Sequence, residues 1–420
     1  MRGGPFTPSQ RVLPRLRRAL FNSLSQPPRF HTPPAGEDRA LMILAPWVIH
    51  GGVDRALVDL LQGLARLAPH QRRYLVTTNS HDRPGAMTWA DEILPCVSGT
   101  FCVPDLAPQG HHAFIAELAK RLNVGAILNA NSLVGFDALP RLRLEVPGLR
   151  VISQAHTFPK DPVTGELFGV CAFSASKYNN LIDGYATICQ ETADRLVQHF
   201  YVSPSKVRIV MLGVDTARFG AAHRPRFVPG VRPRVLWLGR LAPEKNPLMC
   251  LQIARLWKQR HGSARLGFHI TGSGSEEAAL HAYVREHGLH DVVTLESAVD
   301  DPVPQYQQAD CLLLTSLYEG IPVVIYEAMA AGLPVVASVK NTSIPDVLSP
   351  KEAWLLADPS GPEDYVAALE ELLAKPAEVH TRSERMREAS ARYDRLRYAR
   401  ETLEMLFPEP RQEPLKRAAP

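Results

Sequence analysis

Short apolar runs alternate with amphipathic helical windows along most of this chain of 420 residues. The first unit shows the pattern: the apolar run LMILAPW (41–47) precedes a glycine turn, IHGG (49–52). Apolar residues then recur at the spacing of one helix face, at Val53, Ala56, Leu57, Leu60, Leu61, Leu64 and Leu67. Repetition of a buried strand and a one-faced helix predicts an α/β protein with doubly wound, mostly parallel sheets.

A loop rich in proline, arginine and glycine (219–234) divides this alternation into two series. Each series is long enough for a Rossmann-like domain with its own core. The predicted parts are a basic tail (1–39), an N-terminal Rossmann-like domain (40–218), the linker (219–234), a C-terminal Rossmann-like domain (235–378), a closing helix (379–407) and a second tail (408–420). Ligands of such sheets bind outside the carboxyl ends of the strands, so we expect the active site in a central cleft between the domains.

The formal net charge of +4 comes from the N-terminal segment. Residues 1–40 contain seven arginines and two acidic residues, so the remaining 380 residues sum to −1. A nearly neutral body does not create the field that attracts nucleic acid, and no nucleic-acid partner is predicted. The basic window RVLPRLRRALFNSL (11–24) is read either as a disordered or weakly helical tail or as a contact with an anionic membrane surface.

Six cysteines lack the CxxC spacing of metal or redox sites: Cys96, Cys102, Cys171, Cys189, Cys250 and Cys311. We predict reduced, buried thiols in a cytoplasmic protein, peripheral on the inner face of the plasma membrane if the tail binds lipid. The longest apolar stretch (323–339) is interrupted by Glu327 and Pro334, and no membrane-spanning helix is predicted.

Two loops of the second series follow predicted strands and open predicted helices. GRLAPEK (239–245) places Arg240 and Lys245 beside a helix N-terminus, which suits a diphosphate, although charged loop residues are often only solvated. In TGSGSEE (271–277) the glycines Gly272 and Gly274 permit close backbone approach to a ligand or the neighbouring domain. The alternative is a tight turn with Ser275 as the helix N-cap.

A third loop, TSLYEGIPVVIYEAMAAGLPVVAS (315–338), carries two glutamates eight residues apart. Glu319 lies in the turn after a predicted strand, and Glu327 lies in an otherwise apolar helix that Pro322 opens. A buried carboxylate needs a hydrogen-bonding partner, which ribose hydroxyls would supply; a partly exposed glutamate or a capping role is the alternative.

In this order and separation, the three loops resemble family 4 of the retaining, nucleotide-sugar-dependent glycosyltransferases, which have the two-domain GT-B fold. Glu319 and Glu327 match that family's E-x7-E signature. The segments IHGGVDRALVDLLQGLA (49–65) and SPSKVRIVMLGVDTARF (203–219) are similar to its N-terminal domain. The resemblance covers residues 40–375 and implies two Rossmann-like domains facing a cleft, with a C-terminal helix.

The resemblance also implies roles for individual residues. Glu319 and His156 would contact the transferred sugar and are the candidate catalytic residues. The candidate ligands of the donor diphosphate are Arg240, Lys245, Gly51, Gly52, Gly320 and Ile321, and those of the nucleoside are Glu327, Gly272 and Gly274. The chain departs from the family after His156, where Thr157 and Phe158 stand in place of a common acidic residue, and at MLGVD (211–215), where an Asn-Gly pair is common.

The chemistry expected from the resemblance is transfer of a sugar from a nucleoside diphosphate sugar to a glycan or lipid-linked acceptor. Because the chain contains no D-x-D triplet, neither a metal nor another cofactor is predicted, and fixed cations would stabilise the departing diphosphate. The family suggests front-face attack with retention of configuration. Two other functions stay open: a nucleotide-sugar 2-epimerase and a non-catalytic nucleotide-sugar-binding protein.

Overall fold

The structure is a computed structural model that describes residues 39–49, 51–80, 88–159, 164–224, 226–228 and 230–408. The predicted tails fall outside these residues, apart from Arg39 and Pro408. Across the described ranges, no helix is both long enough and apolar enough to cross a membrane.

The first half of the chain forms a seven-stranded parallel sheet. Its strands are β1 (Ala40–Ala45), β2 (Arg73–Thr77), β3 (Gly99–Cys102), β4 (Val124–Asn129), β5 (Arg150–Ala155), β6 (Gly184–Thr187) and β7 (Val207–Ile209). They lie in the order β3-β2-β1-β4-β5-β6-β7. The helices between them are α1 (Gly52–Leu67), α2 (Ala90–Ile93), α3 (Val103–Leu106), α4 (His111–Arg121), α5 (Leu133–Asp137), α6 (Leu139–Glu145), α7 (Val170–Tyr178) and α8 (Gln190–His199). Every residue of the central strands β1 and β4 is buried, because helices cover both faces of the sheet.

The second half repeats this architecture with six parallel strands. These are β8 (Arg234–Leu238), β9 (Gly267–Thr271), β10 (Val293–Glu296), β11 (Cys311–Leu314), β12 (Val335–Ser338) and β13 (Trp354–Leu356), in the order β10-β9-β8-β11-β12-β13. The helices, starting with the linker helix, are α9 (Thr216–Gly220), α10 (Pro247–His261), α11 (Glu277–Glu286), α12 (Val303–Gln308), α13 (Val323–Ala330), α14 (Pro362–Ala374), α15 (Pro376–Ser390) and α16 (Arg395–Leu406).

The prediction of two doubly wound domains is confirmed. Each sheet reverses its strand order once, between β1 and β4 and between β8 and β11, and loops at such switch points form ligand-binding crevices. Strand β3 and the helices α2 and α3 are among the elements that were not predicted. The two helices have four residues each, which is too short to show a helical period, and the sequence GTFC of β3 is not a continuous apolar run.

The prediction of one closing helix is wrong: α15 and α16 are separate. A 3-10 turn, Ala391–Tyr393, ends the first helix, and the carboxylate of Asp394 caps the second by accepting from the amide of Leu396 at 2.8 Å. The same carboxylate accepts a hydrogen bond from the Thr216 hydroxyl at 2.8 Å. The break lets α15 lie against α13 in the second domain while α16 returns to the first.

Helix α16 packs against α1 beside the first sheet. A Cβ atom at Gly63 would lie 2.7 Å from both the Cβ of Ala399 and the carbonyl oxygen of Arg395, so only glycine permits this approach. One cluster of buried residues runs from the first sheet through α1 and α16 to α13 and the second sheet. All six cysteines are buried and free, as predicted.

Candidate active site in the interdomain cleft

The loop after β8 holds the two cations that sequence analysis selected. Residues Pro243–Lys245 form a 3-10 turn, and Asn246 is the N-cap of α10 in a left-handed conformation, with φ of 50°. The Arg240 side chain is 59% exposed and forms an ion pair with Glu244 at 2.7 Å. Arg240 therefore lies at the solvent edge of the cleft, whereas Lys245 points inward.

Lys245 and Glu319 form an ion pair between the loops after β8 and β11. The Lys245 ammonium contacts Oε1 of Glu319, and the two side chains are 22% and 12% exposed. The Ser316 hydroxyl donates to the same oxygen at 3.0 Å. The main chain of Glu319 is fixed as well, because its amide donates to the carbonyl of Asn341 at 3.1 Å. The structure thus brings a predicted diphosphate ligand and a predicted catalytic carboxylate into direct contact.

Gly320 and Ile321 follow this pair and lead to the N-terminus of α13. A Cβ atom at Gly320 would lie 2.9 Å from Cδ1 of Ile188 and 3.1 Å from the carbonyl oxygen of His156, both in the first domain. A side chain here would push the domains apart. Ile321 is buried, and Pro322 is the N-cap of α13.

The first domain contributes the N-terminus of α1 to the same region. Gly51 is the N-cap in an extended conformation, and a Cβ atom at Gly52 would lie 3.3 Å from Cγ2 of Val323, the first residue of α13. The N-termini of α1 and α13 therefore meet across the cleft. Because unpaired amides and the helix dipole make such ends positive, their meeting point favours an anion.

Asp54, in the first turn of α1, is a cleft residue that sequence analysis missed. Burial raises the pKa of its carboxyl from 3.8 to about 7, while a hydrogen bond from the amide of Ile49 and the charge of Arg240 act in the opposite direction. The sequence did contain a signal for this residue, since Asp54 belongs to the run GGVDR that carries Gly51 and Gly52.

His156 follows β5 and is buried, with 4% exposure. Among the described residues, neither of its ring nitrogens has a hydrogen-bond partner. Burial lowers its pKa from 6.5 to about 4, so the ring is neutral at pH 7. Its carbonyl oxygen accepts from the Thr192 hydroxyl at 3.3 Å, which fixes the main chain. A buried imidazole without a protein partner is available to a ligand.

Glu327 lies one turn into α13 and is also buried, with 4% exposure. Its Oε2 atom accepts a hydrogen bond from the hydroxyl of Tyr306, a buried residue of α12, at 2.7 Å. Burial raises the pKa of the carboxyl from 4.5 to about 7, partly offset by this hydrogen bond. The partner that a buried carboxylate requires is thus Tyr306, which sequence analysis did not identify; contact with a ribose stays a prediction.

Gly272 and Gly274 lie one loop further along the second sheet. Cβ atoms at these positions would lie 1.9 Å from the carbonyl oxygen of Gly239 and 2.3 Å from that of Leu241. The glycines therefore permit two loops of the same domain to pack, and contact with a nucleoside stays a prediction. Glu276, not Ser275, occupies the N-cap of α11. Beside this loop is a cavity of about 40 Å³, lined by Leu241, Ile270, Gly272, Glu277, Leu280, His281, Leu295, Glu296 and Ser297.

Comparison with known proteins supports the resemblance of the second domain. Residues 232–375 match the family described as Glycosyl transferases group 1. A D-inositol 3-phosphate glycosyltransferase from Paenarthrobacter aurescens is 30% identical over 204 residues, which are 46% of this chain and 50% of that protein. A putative colanic acid biosynthesis glycosyltransferase, WcaL, from Salmonella typhimurium is 30% identical over 181 residues, 41% of this chain and 42% of that protein. The chain thus spans about half the length or less of these relatives.

Solved structures resemble the whole described fold. HepE of Anabaena, solved in complex with UDP and glucose, superposes with a TM-score of 0.70 and 17% identity, over 88% of this chain and 99% of that one. TarM of S. aureus, solved with UDP, gives a TM-score of 0.69 and 12% identity, over 88% and 100%. The resemblance to the group 1 glycosyltransferases is confirmed, and the fold is GT-B.

Proposed function

We propose that this protein is a retaining, metal-independent glycosyltransferase that moves a sugar from a nucleoside diphosphate sugar to a glycan or lipid-linked acceptor. The observation that carries the proposal is the ion pair of Lys245 and Glu319 beside Gly320, where the second domain meets the main chain of His156 in the first. The cation and the carboxylate come from one domain, and the buried imidazole of His156, whose ring nitrogens have no partner among the described residues, comes from the other.

The donor diphosphate would bind between the N-termini of α1 and α13, with Lys245 beside it and Arg240 at the solvent edge. Two helix ends and two cations compensate the negative charge that grows on the diphosphate as the glycosidic bond breaks. Lys245 already has a carboxylate partner in Glu319, so the incoming diphosphate would take over part of the ammonium's hydrogen bonding.

The transferred sugar would lie between Glu319 and His156. Sugar hydroxyls can donate to the carboxylate and can also donate to, or accept from, a neutral imidazole. This contact would satisfy ring nitrogens that have no partner among the described residues. Glu327 would contact the ribose through its second oxygen, and the backbone at Gly272 and Gly274 would approach the nucleoside.

The proposed reaction proceeds on one face of the sugar. The bond between the anomeric carbon and the diphosphate oxygen breaks, and its electron pair leaves with the diphosphate. The acceptor hydroxyl attacks the anomeric carbon from the same face and transfers its proton to the departing oxygen. The new bond therefore has the configuration of the old one, and no enzyme nucleophile is required, which distinguishes this scheme from the double displacement of retaining glycosidases.

Relatives support a role in cell-surface polysaccharide or glycolipid synthesis. WcaL is named for colanic acid biosynthesis, and AmsK of Erwinia amylovora, 31% identical over 192 residues, is named for amylovoran biosynthesis.

Two experiments test the activity. Thermal unfolding with a panel of UDP-, GDP- and ADP-sugars identifies the donor, because a ligand that binds only the native state raises its stability.

Slow hydrolysis of that donor then tests the reaction without a known acceptor. We expect release of the nucleoside diphosphate in the presence of a metal chelator, and NMR should show the released sugar first in the donor's anomeric configuration. An epimerised nucleotide sugar would favour the isomerase, binding without turnover would favour the non-catalytic protein, and no stabilisation by any donor would contradict the proposal.

A membrane contact through residues 1–36 is proposed with it, because a lipid-linked acceptor places the enzyme at the cytoplasmic membrane surface. The six arginines of residues 1–36 would bind anionic headgroups. Sedimentation with phosphatidylglycerol liposomes should show binding that falls when residues 1–36 are removed. Equal binding by both proteins would contradict the contact.

A further inference from the structure

Thr315 is a buried hydroxyl between the loops that carry Lys245 and Glu319. It follows β11 and is 1% exposed. Its Oγ1 atom accepts a hydrogen bond from Nε1 of Trp237 at 3.0 Å and lies 2.9 Å from the carbonyl oxygen of Asn246. The carbonyl of Lys245 is 3.3 Å away. The single hydroxyl proton is therefore directed at the last two residues of the lysine loop.

Trp237 supports both ends of the same loop. It is a buried residue of β8, and a Cβ atom at Gly239 would lie 3.6 Å from Cη2 of its indole ring. The ring thus lies against the residue that begins the lysine loop, while its N–H group binds Thr315, which holds the end of that loop.

The loops are joined at a second point, where the amide of Leu317 donates to the carbonyl of Glu244 at 2.9 Å. Asn246, between Lys245 and the first turn of α10, keeps a left-handed conformation that asparagine tolerates better than most residues. Without the Thr315 hydroxyl, the indole N–H of Trp237 would lose its partner, and the carbonyl of Asn246 would keep only the amide of Met249, 3.2 Å away. The end of the loop would then shift so that these groups find new partners.

We propose that Thr315, supported by Trp237, is a positioning residue that sets the place of the Lys245 ammonium relative to Glu319, and through it the affinity for the donor's diphosphate. This inference rests on the proposed function and deepens it. Thr315 does not touch the donor; it acts through the main chain of Lys245 and Asn246. Thr315 and Trp237 are 78 positions apart in the sequence, so their contact depends on the fold.

The test compares Thr315→Val, which removes the hydroxyl at nearly constant volume, with Thr315→Ser, which keeps it. Calorimetry measures the affinity for a nucleoside diphosphate and for the monophosphate of the same base, starting with UDP and UMP and then GDP and GMP or ADP and AMP. In Thr315→Val we expect diphosphate affinity to fall about tenfold and monophosphate affinity to change less than about twofold. Thr315→Ser should restore most of the preference for the diphosphate.

Two further variants separate positioning from stability. Thr402→Val removes another fully buried hydroxyl, which donates to the carbonyl of Tyr398 in α16, and should lower stability without changing the diphosphate-to-monophosphate ratio. Trp237→Phe keeps an aromatic ring under Gly239 but deletes the indole N–H, and we expect a decrease in the ratio smaller than that of Thr315→Val. If Thr315→Val does not fold, Trp237→Phe replaces it as the test variant.

An unchanged ratio in Thr315→Val, or in Trp237→Phe if the first variant does not fold, would overturn the inference while leaving the proposed function standing. A fall shared equally by diphosphate and monophosphate would also overturn it, because that result indicates a general loss of the site. If no nucleoside diphosphate binds the parent protein, the proposed function itself fails.

Discussion

The two faces of the cleft satisfy their polar groups in different ways. On the face of the second domain, ionisable side chains have partners within that domain: Lys245 binds Glu319, Arg240 binds Glu244 and Tyr306 binds Glu327. On the face of the first domain, the buried imidazole of His156 has no partner among the described residues. A donor must therefore compete with existing ion pairs on the second-domain face, whereas on the first-domain face it can bind a ring whose nitrogens have no partner in the described part of the chain.

The largest expected effect concerns the carboxylate of Glu319 on the second-domain face of the cleft. Glu319→Gln removes the charge beside the sugar but keeps a group that can hydrogen-bond, and we expect turnover to fall about 100-fold or more. Steady-state kinetics of donor hydrolysis measures this. Glu370→Gln serves as the matched control, because Glu370 lies in α14, pairs with His261 and is not one of the cleft residues described above. Unchanged turnover in Glu319→Gln would remove the residue from the catalytic group.

The second prediction concerns the pH dependence that Glu327 confers. Since burial raises its pKa from 4.5 to about 7, the folded protein retains a proton at pH values where the unfolded chain has lost it. The stability contributed by the protonated group is therefore lost as pH rises from about 4.5 to 7. Glu327→Gln stays neutral, so its free energy of unfolding relative to the parent should rise by about 1 to 3 kcal/mol across this window.

Urea unfolding of both proteins at pH 5, 6, 7 and 8 gives the difference directly. Groups that titrate equally in both proteins, such as Asp54, do not contribute to the difference in free energy of unfolding. A difference that stays constant with pH would show that Glu327 is ionised normally.

The third prediction concerns His156 on the first-domain face of the cleft. His156→Leu removes a buried polar group that has no partner among the described residues, so the ligand-free protein should gain about 1 kcal/mol of stability while its stabilisation by the donor decreases. Gln154→Leu, two residues earlier at the end of β5, is the matched control: its amide donates to the hydroxyl of Tyr398 at 2.7 Å, and breaking that pair should destabilise the protein. Loss of stability in both variants would contradict the contrast between the two faces.

The smallest expected effect is that of Arg240→Ala. Because its side chain is 59% exposed and paired with Glu244, we expect affinity for the nucleoside diphosphate to fall by about 0.5 to 1 kcal/mol at 0.15 M salt. Calorimetry at low and high salt checks this, since the contribution of an exposed cation should decrease as salt rises. A loss as large as that expected for Lys245→Ala would indicate that Arg240 moves inward on binding.

Most of the fold could be predicted from sequence because the buried strands appear as short apolar runs and the longer helices repeat apolar residues on one face. The site loops could be found because glycines, prolines and charges mark strand ends. The hydrogen-bond partners inside the site could not be predicted. Tyr306 binds Glu327, and Trp237 binds Thr315, only after two elements pack together. The break at Asp394 was missed because an amphipathic pattern continues across it; the capping carboxylate takes effect once α16 turns back to the first domain.

Titration of the nucleoside diphosphate against the parent protein and Lys245→Ala tests most directly whether the cleft binds a donor diphosphate. We expect the affinity of Lys245→Ala to be lower by about 1.5 to 3 kcal/mol, the contribution of a hydrogen bond to a charged group. Lys258→Ala, a lysine of α10 paired with Asp291 at 2.7 Å, should bind as the parent does. Equal affinity of Lys245→Ala and the parent would contradict the placement of the diphosphate beside Lys245.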